Sequence, residues 1–289
     1  MDSRAVKTFI FLFALVAIIN AQSLPEWHID IDPGEWEYIC EHYWEDIYIP
    51  AHVVFDEYYC DSAEIRLRGE SSRLADKKSL RVRLLEELPA YEMDRINLIS
   101  MYEDEIQCRD WLANNAFARG GYPHNRCWHV KVNINDGYYG LFSMMDRIDK
   151  DYLRRLDFDD DGNLYKASSE GANLSMEHPD PFALYEKKTN EDEPWSDLEQ
   201  LIIDLDTLNR YNIYEYVYEN FDVDALIDFM AISALISNNS TYYHNYYLYH
   251  DTDDTGLWYI FPWDIDNTFH YPTCSIYTVS YTHLTLPTN

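Results

Sequence analysis

The triplet Asn135-Asp136-Gly137 sits between two runs, 128–134 and 138–144, in which apolar and polar residues alternate. Such residues accept the positive φ angles of a tight turn, so the pattern predicts a β-hairpin and commits this part of the chain to antiparallel sheet. Two earlier runs, 63–67 and 80–84, alternate apolar residues with arginine, as half-buried strands do, and are joined by a polar loop over 68–79. A third pair, 246–249 and 257–261, flanks Asp253-Asp254-Thr255-Gly256 and predicts a second hairpin. Helical periodicity covers 104–119, with Trp111, Leu112, Ala116 and Phe117 expected inward and Gly120-Gly121 as the stop. It recurs over 148–156, 198–208 and 223–237, the last behind Asp222 as a cap. The stretch 168–194, with scattered proline and acidic residues, is expected to be an exposed connection between lobes. Strands first, helices later and a late hairpin together predict an α+β, two-lobed architecture.

The two ends are set apart from this core. Arg4 and Lys7 precede an apolar run from Phe9 to Ile19, followed by Asn20, Ala21 and Gln22. That is the pattern of a signal peptide over 1–21, and the run is shorter than the roughly 20 apolar residues of a membrane span. The mature chain is therefore expected to be secreted or at the cell surface, without a transmembrane anchor. At the other end, residues 279–289 read as the translation of a common sequencing adapter. The folded domain is expected over 22–278, truncated at its C-terminus.

A hydrophobic content of 47% supports a sizeable core, while the net charge of −30 argues against nucleic acid and fits a basic partner. Five cysteines carry no zinc spacing, and outside the cytosol Cys40–Cys60 and Cys108–Cys127 are the sequence-near disulfide candidates, leaving Cys274.

Three features can carry chemistry. In the loop 68–79, Gly69 beside Ser71 and Ser72 lets backbone N–H groups approach an anion, and Arg68, Lys77 and Lys78 supply positive charge in an acidic chain. Asp264 and Asp266 stand two apart after a strand, so that two carboxylates can converge on one hard cation. Asn245, just ahead of the strand 246–249, is placed to ligate a metal as well. The acidic run 157–162 imitates half of a calcium loop but has Ser168 where a bidentate glutamate is required, and reads as a solvated turn.

Taken together and in order, these pieces resemble the CotH kinase family, the spore-coat H-type proteins. The resemblance rests on Arg68-Gly69-x-Ser71-Ser72 with Lys77-Lys78-Ser79, Asp104 with Arg109, and Asn135-Asp136-Gly137-Tyr138-Tyr139-Gly140-Leu141. It is completed by Gly162-Asn163-Leu164-Tyr165-Lys166-Ala167 and Trp263-Asp264-Ile265-Asp266. It implies an atypical, two-lobed protein-kinase-like fold that binds ATP with Mg2+ or Mn2+ and phosphorylates Ser or Thr of exported proteins. In that reading Lys78, or Lys77, contacts the phosphates, and Asp264, Asp266 and Asn245 hold metal. Asp146 stands where the family has a lysine-orienting glutamate. The family's catalytic aspartate is expected five residues before Asn245, where this chain has Ser240. A missing base removes about 10²–10⁴-fold from transfer, so metal and nucleotide binding is a firmer expectation than catalysis. The alternative is a catalytically inactive adhesion or scaffold protein of the same fold. A carbohydrate-active enzyme is the third reading, raised by the 26 tyrosines and 8 tryptophans.

Overall fold

The computed structural model describes residues 23–269 except Glu70, Ala90, Arg210, Ser240 and Tyr242, together with the side chain of Ser71. The expected signal peptide, the tail 279–289, Cys274 and the Ser240 position lie outside the described residues.

Seven strands close into a barrel: β1 (Glu26–Asp30), β2 (Ile49–Phe55), β3 (Tyr58–Leu67), β4 (Leu80–Leu88), β5 (Met93–Ile99), β6 (Cys127–Ile134) and β7 (Gly137–Met145), in the spatial order β1-β2-β3-β4-β5-β7-β6. The parallel β1–β6 pairing completes the ring and the other pairings are antiparallel. Strand alternation sends Trp27, Ile29, Val53, Ile65, Leu67, Leu80, Val82, Ile96, Leu98, Val130, Val132, Phe142 and Met144 into one buried core. The β6–β7 turn is the expected one: Asn135 (φ 49°) and Asp136 (φ 63°) are both left-handed, as a two-residue hairpin turn requires. The Asn135 side chain also accepts the Ile31 N–H at 2.8 Å, which ties the end of β1 to this turn. Helix α1 (Pro33–Glu41) follows β1, with the Asp32 carboxylate accepting from the N–H groups of Gly34 and Glu35 and Pro33 opening the helix.

A second, antiparallel sheet runs β11-β10-β8-β9, from β8 (Asn163–Ala167), β9 (Tyr185–Lys187), β10 (Tyr246–His250) and β11 (Trp258–Pro262). Around it lie α3 (Lys150–Arg155), α4 (Ser196–Thr207), α5 (Ile213–Asn220) and α6 (Val223–Leu235), and α2 (Arg109–Arg119) connects the barrel to α6 through Phe117 stacked on Phe229 at 5.9 Å. Asp222 caps α6 by accepting the Ala225 N–H at 2.9 Å, as expected. The α+β class is thus observed, in the form of a closed barrel beside a four-stranded sheet with helices.

Three expectations are corrected. Trp111 and Leu112 are 40% and 37% exposed, and the inward face of α2 is Asp110, Ala113, Asn114 and Phe117. The helix begins at Arg109, where the Asp104 carboxylate gathers the N–H groups of Cys108 and Arg109 at 2.8 Å each. The stretch 168–194 is more than a connection: it contributes β9, whose Tyr185 and Lys187 are buried against β8. The four described cysteines are all free, and Cys127 Sγ lies 2.9 Å from the Ser143 hydroxyl instead of a second sulfur. In the acidic run 157–162, Asp160 and Asp161 pair with Arg154 and Lys150, which supports a solvated turn.

Candidate functional site

A cleft of about 720 Å³ opens between one end of the barrel and one end of the second sheet. Register explains why the relevant residues meet there. Leu67 pairs with Leu80 and Leu80 with Leu98, so the loop 68–79 and the residues after β5 share a barrel end. Tyr246 pairs with both Pro262 and Ala167, so Asn245, Trp263-Asp264 and Ser168 share a sheet end.

The barrel supplies a cationic wall. Arg66 lies directly opposite Arg81 across β3 and β4, and Arg81 lies opposite Asn97 on β5. Like charges facing each other across a strand pair are unfavourable, and here they are half-buried or buried. Arg66 is partly compensated by Asp46 at 2.6 Å and by the Leu67 carbonyl at 3.0 Å. Arg81 holds only the Asn97 side-chain oxygen at 3.3 Å among the described bonds. Burial first, then Arg68, Arg66 and Arg147, push the Arg81 guanidinium down to about 10. Arg68 spreads over the Trp263 ring at 5.4 Å, its Nε has no hydrogen-bond partner, and burial pushes it down as well, with Asp264 opposing. Arg147, just past β7, extends this wall with Asp149 at 3.6 Å, and Lys166 enters the cleft from β8 of the second sheet, where burial pushes it down and Glu186 opposes the shift. Arg68 and Arg81, left this poorly neutralised, could take an anion.

The opposite wall carries carboxylates. Asp264 and Asp266 both face the cleft, with Glu103 and Asp104 nearby. Burial, then Asp264, Glu103 and Asp104, raise the Asp266 carboxyl to about 7. Behind them Asp110 is raised well above the carboxylate range by burial and by Asp266 and Asp264. Asp104 is anchored by Arg109 at 2.5 Å. Asn245 (φ 64°) and Asp264 (φ 53°) both adopt the left-handed region, which Asn and Asp tolerate better than other side chains. Among the described residues no three His, Cys, Asp or Glu side chains close to metal-binding spacing. Two hard carboxylates and an amide, under mutual repulsion, suit an ion that takes its remaining ligands from phosphate and water, as Mg2+ does.

The expected site residues divide as follows. Arg68, Gly69, Ser72, Asn245, Asp264 and Asp266 line the cleft together. Gly69 is required by geometry: its φ is +94° and an added Cβ would come within 1.8 Å of Ser72 Oγ. Ser71 lies in a short 3-10 turn over Ser71–Arg73. Lys77 and Lys78 do not line the cleft. Lys77 passes over Gly140, where a Cβ would meet its Cε at 2.6 Å, and donates to the carbonyls of Ser100 (2.8 Å) and Leu141 (2.5 Å). Lys78 turns back to the Arg73 carbonyl at 2.6 Å. Asp146 is not brought to either lysine; it is buried and bound to Arg126 at 2.9 Å and Arg155 at 3.2 Å. His244 lines the cleft with its Nδ1 unpartnered. Arg66, Arg81, Arg147 and Lys166 were missed as site residues. The signal was present for two of them, since arginine at alternate positions of a strand pair charges one whole face of the barrel.

The family model described as CotH kinase protein matches residues 65–281. The chain belongs to the CotH kinase protein family. The CotH match starts within β3, so it takes in the loop 68–79, Arg81, Asn245 and both carboxylates, and leaves β1, α1 and β2 ahead of it. Inner spore coat protein H of Bacillus subtilis (strain 168) is 26% identical over 257 residues, covering 86% of this chain and 70% of that CotH relative. Among the described residues no helix is long and apolar enough to cross a membrane.

Proposed function

We propose that the cleft binds a nucleoside triphosphate, ATP in the first instance, together with Mg2+ or Mn2+, in a two-lobed kinase-like arrangement. The barrel forms one lobe, and the second sheet with its helices forms the other. One observation carries this reading: Arg68 and Arg81, short of partners of their own, line the same cleft as Arg66, Arg147 and Lys166 and as the paired carboxylates Asp264 and Asp266. A polyphosphate bridged by a divalent ion is complementary to such a bipolar cleft. Asp264, Asp266 and Asn245 would hold the ion, which neutralises charge on the phosphates when bound. The phosphate contacts that the resemblance gives to Lys77 and Lys78 pass to Arg68 and Arg81, because both lysines are committed to backbone carbonyls. Gly69 and Ser72 bring loop backbone close to the phosphates.

Transfer to Ser or Thr of an exported, basic protein is the reaction this arrangement supports, slowed by Ser240 where the family has its aspartate. The apolar run 9–19 and the spore-coat name of the B. subtilis relative support a secreted or spore-surface location. Calorimetry tests the binding step: ATP with Mn2+ gives saturable heat that Asp264→Ala abolishes. Absence of heat from the unmodified chain overturns the proposal. A second reading, a protein-binding scaffold of the same fold, is favoured by the exposed Tyr214 and Tyr218 on α5 and by Ile227, Met230 and Leu235 on α6. It requires that ATP and Mn2+ leave the melting temperature unchanged.

A further inference from the structure

A site that discriminates among nucleobases needs apolar or aromatic faces to sandwich the ring and unengaged polar groups to read its edge. The cleft's apolar and aromatic lining is Ile99, Met101, Tyr102, Ile148, Tyr247 and Trp263, with the half-buried His244 imidazole next to Asn245 at the end proposed for the metal. Four of these offer almost no surface: Met101 is 4% exposed, Ile148 1%, Tyr247 5% and Trp263 6%. The Trp263 ring, the best stacking platform of the set, is already faced by the Arg68 guanidinium at 5.4 Å. Tyr102 stands at the rim with its hydroxyl on Glu103 at 2.8 Å. That leaves Ile99 as the one half-buried aliphatic wall among the described lining residues.

The backbone is equally occupied. The Ser100 N–H donates to Ser79 Oγ at 2.9 Å and its carbonyl accepts from Lys77 Nζ at 2.8 Å. The Ser79 carbonyl accepts the Arg68 N–H at 3.0 Å, and the Met101 carbonyl accepts from Asp104 N–H at 3.2 Å. The groups that border the cleft beside the loop are thus engaged in holding the barrel end together. The cationic wall is in the opposite condition, with Arg68 Nε unpartnered and Arg81 tied to one amide oxygen.

We infer that the cleft recognises the metal-bound triphosphate and is indifferent to the base, so that ATP, GTP, CTP and inorganic tripolyphosphate are one ligand class for it. This rests on the nucleotide reading above and deepens it by naming what part of the ligand is read. Affinity comes from phosphate oxygens on Arg68, Arg81 and Arg147 and from the cation held near Asp264. The base remains at the mouth, where water solvates it.

Calorimetric titration of the full chain with each of the four compounds in Mn2+ tests this. The expected result is dissociation constants for the three nucleotides within about threefold of one another and tripolyphosphate within about tenfold, with competition for one site. An ATP affinity more than tenfold tighter than those of GTP and CTP overturns the base indifference while leaving the nucleotide reading intact. Absence of binding by all four overturns both. Arg81→Gln, checked for an unchanged circular-dichroism spectrum, is expected to weaken all four by the same factor; a loss confined to ATP counts against the inference.

Discussion

Replacing Arg81 by methionine is expected to stabilise the fold while weakening its ligand. Arg81 faces Arg66 across a strand pair, and its guanidinium is lowered from the ordinary 12.5 to about 10, by burial first and then by Arg68, Arg66 and Arg147. At about 1.36 kcal/mol per tenfold change in proton affinity, holding this group charged in the folded protein costs about 3 kcal/mol. Methionine removes that cost and keeps most of the aliphatic stem, but gives up the bond to Asn97, worth about 1 kcal/mol, and leaves the Asn97 oxygen to water. A net gain of about 1–2 kcal/mol remains, which corresponds to roughly 2–8 °C in a chain of this size. The sign with pH follows from the depressed value: the cost is fully present below about pH 10 and fades as pH rises through 10. The variant's advantage in differential scanning calorimetry should therefore be larger at pH 7 than at pH 10.5. Mn2+-ATP affinity should fall tenfold or more. A variant that melts lower than the parent and binds ATP unchanged would refute the reasoning, because Arg81 would then be a structural residue and not a cation kept for a ligand.

Lys77→Met is expected to behave in the opposite way: two buried carbonyls, of Ser100 and Leu141, lose their donor, costing about 2 kcal/mol in urea unfolding with ATP affinity within about twofold of the parent. Gly69→Ala forces a side chain onto φ +94° and into Ser72 Oγ, so stability should fall by about 1–2 kcal/mol and ATP binding by several-fold; unchanged binding would remove the loop from the site. Asp197 is half-buried, which raises its carboxyl, but hydrogen bonds with His250, Tyr165 and Asn163 win and hold it at about 2. Its contribution is complete above about pH 4 and is lost as pH falls through 2, so Asp197→Asn should lower stability at pH 5 and flatten the acid limb of the melting profile.

The hairpins and the cap of α6 were legible because their information is local. Asn135-Asp136 accept positive φ by their own chemistry, and Asp222 satisfies an N–H three residues away. Asp264, Asp266 and Asn245 were legible as hard donors flanking strands, although nothing local says that they share a sheet end. The face of α2 was misjudged because two polar residues, Asp110 and Asn114, take buried positions that periodicity assigns to apolar ones. Lys77 and Lys78 were judged by charge alone, and charge does not reveal that Gly140, some sixty residues on, opens a channel for one of them.

What the sequence determined by itself was the inventory: a β-rich first half, a glycine loop, two carboxylates two apart, and arginines at alternate strand positions. What only the tertiary structure decided was which cations are left short of partners. Strand register sets Arg66 against Arg81 in the cleft that Asp264 also lines, while the carbonyls of Ser100, just past β5, and of Leu141 in β7 draw Lys77 away. Neutralisation falls off over a few ångströms, so it is settled by distances between residues far apart in the chain, which no reading of neighbours along the sequence contains.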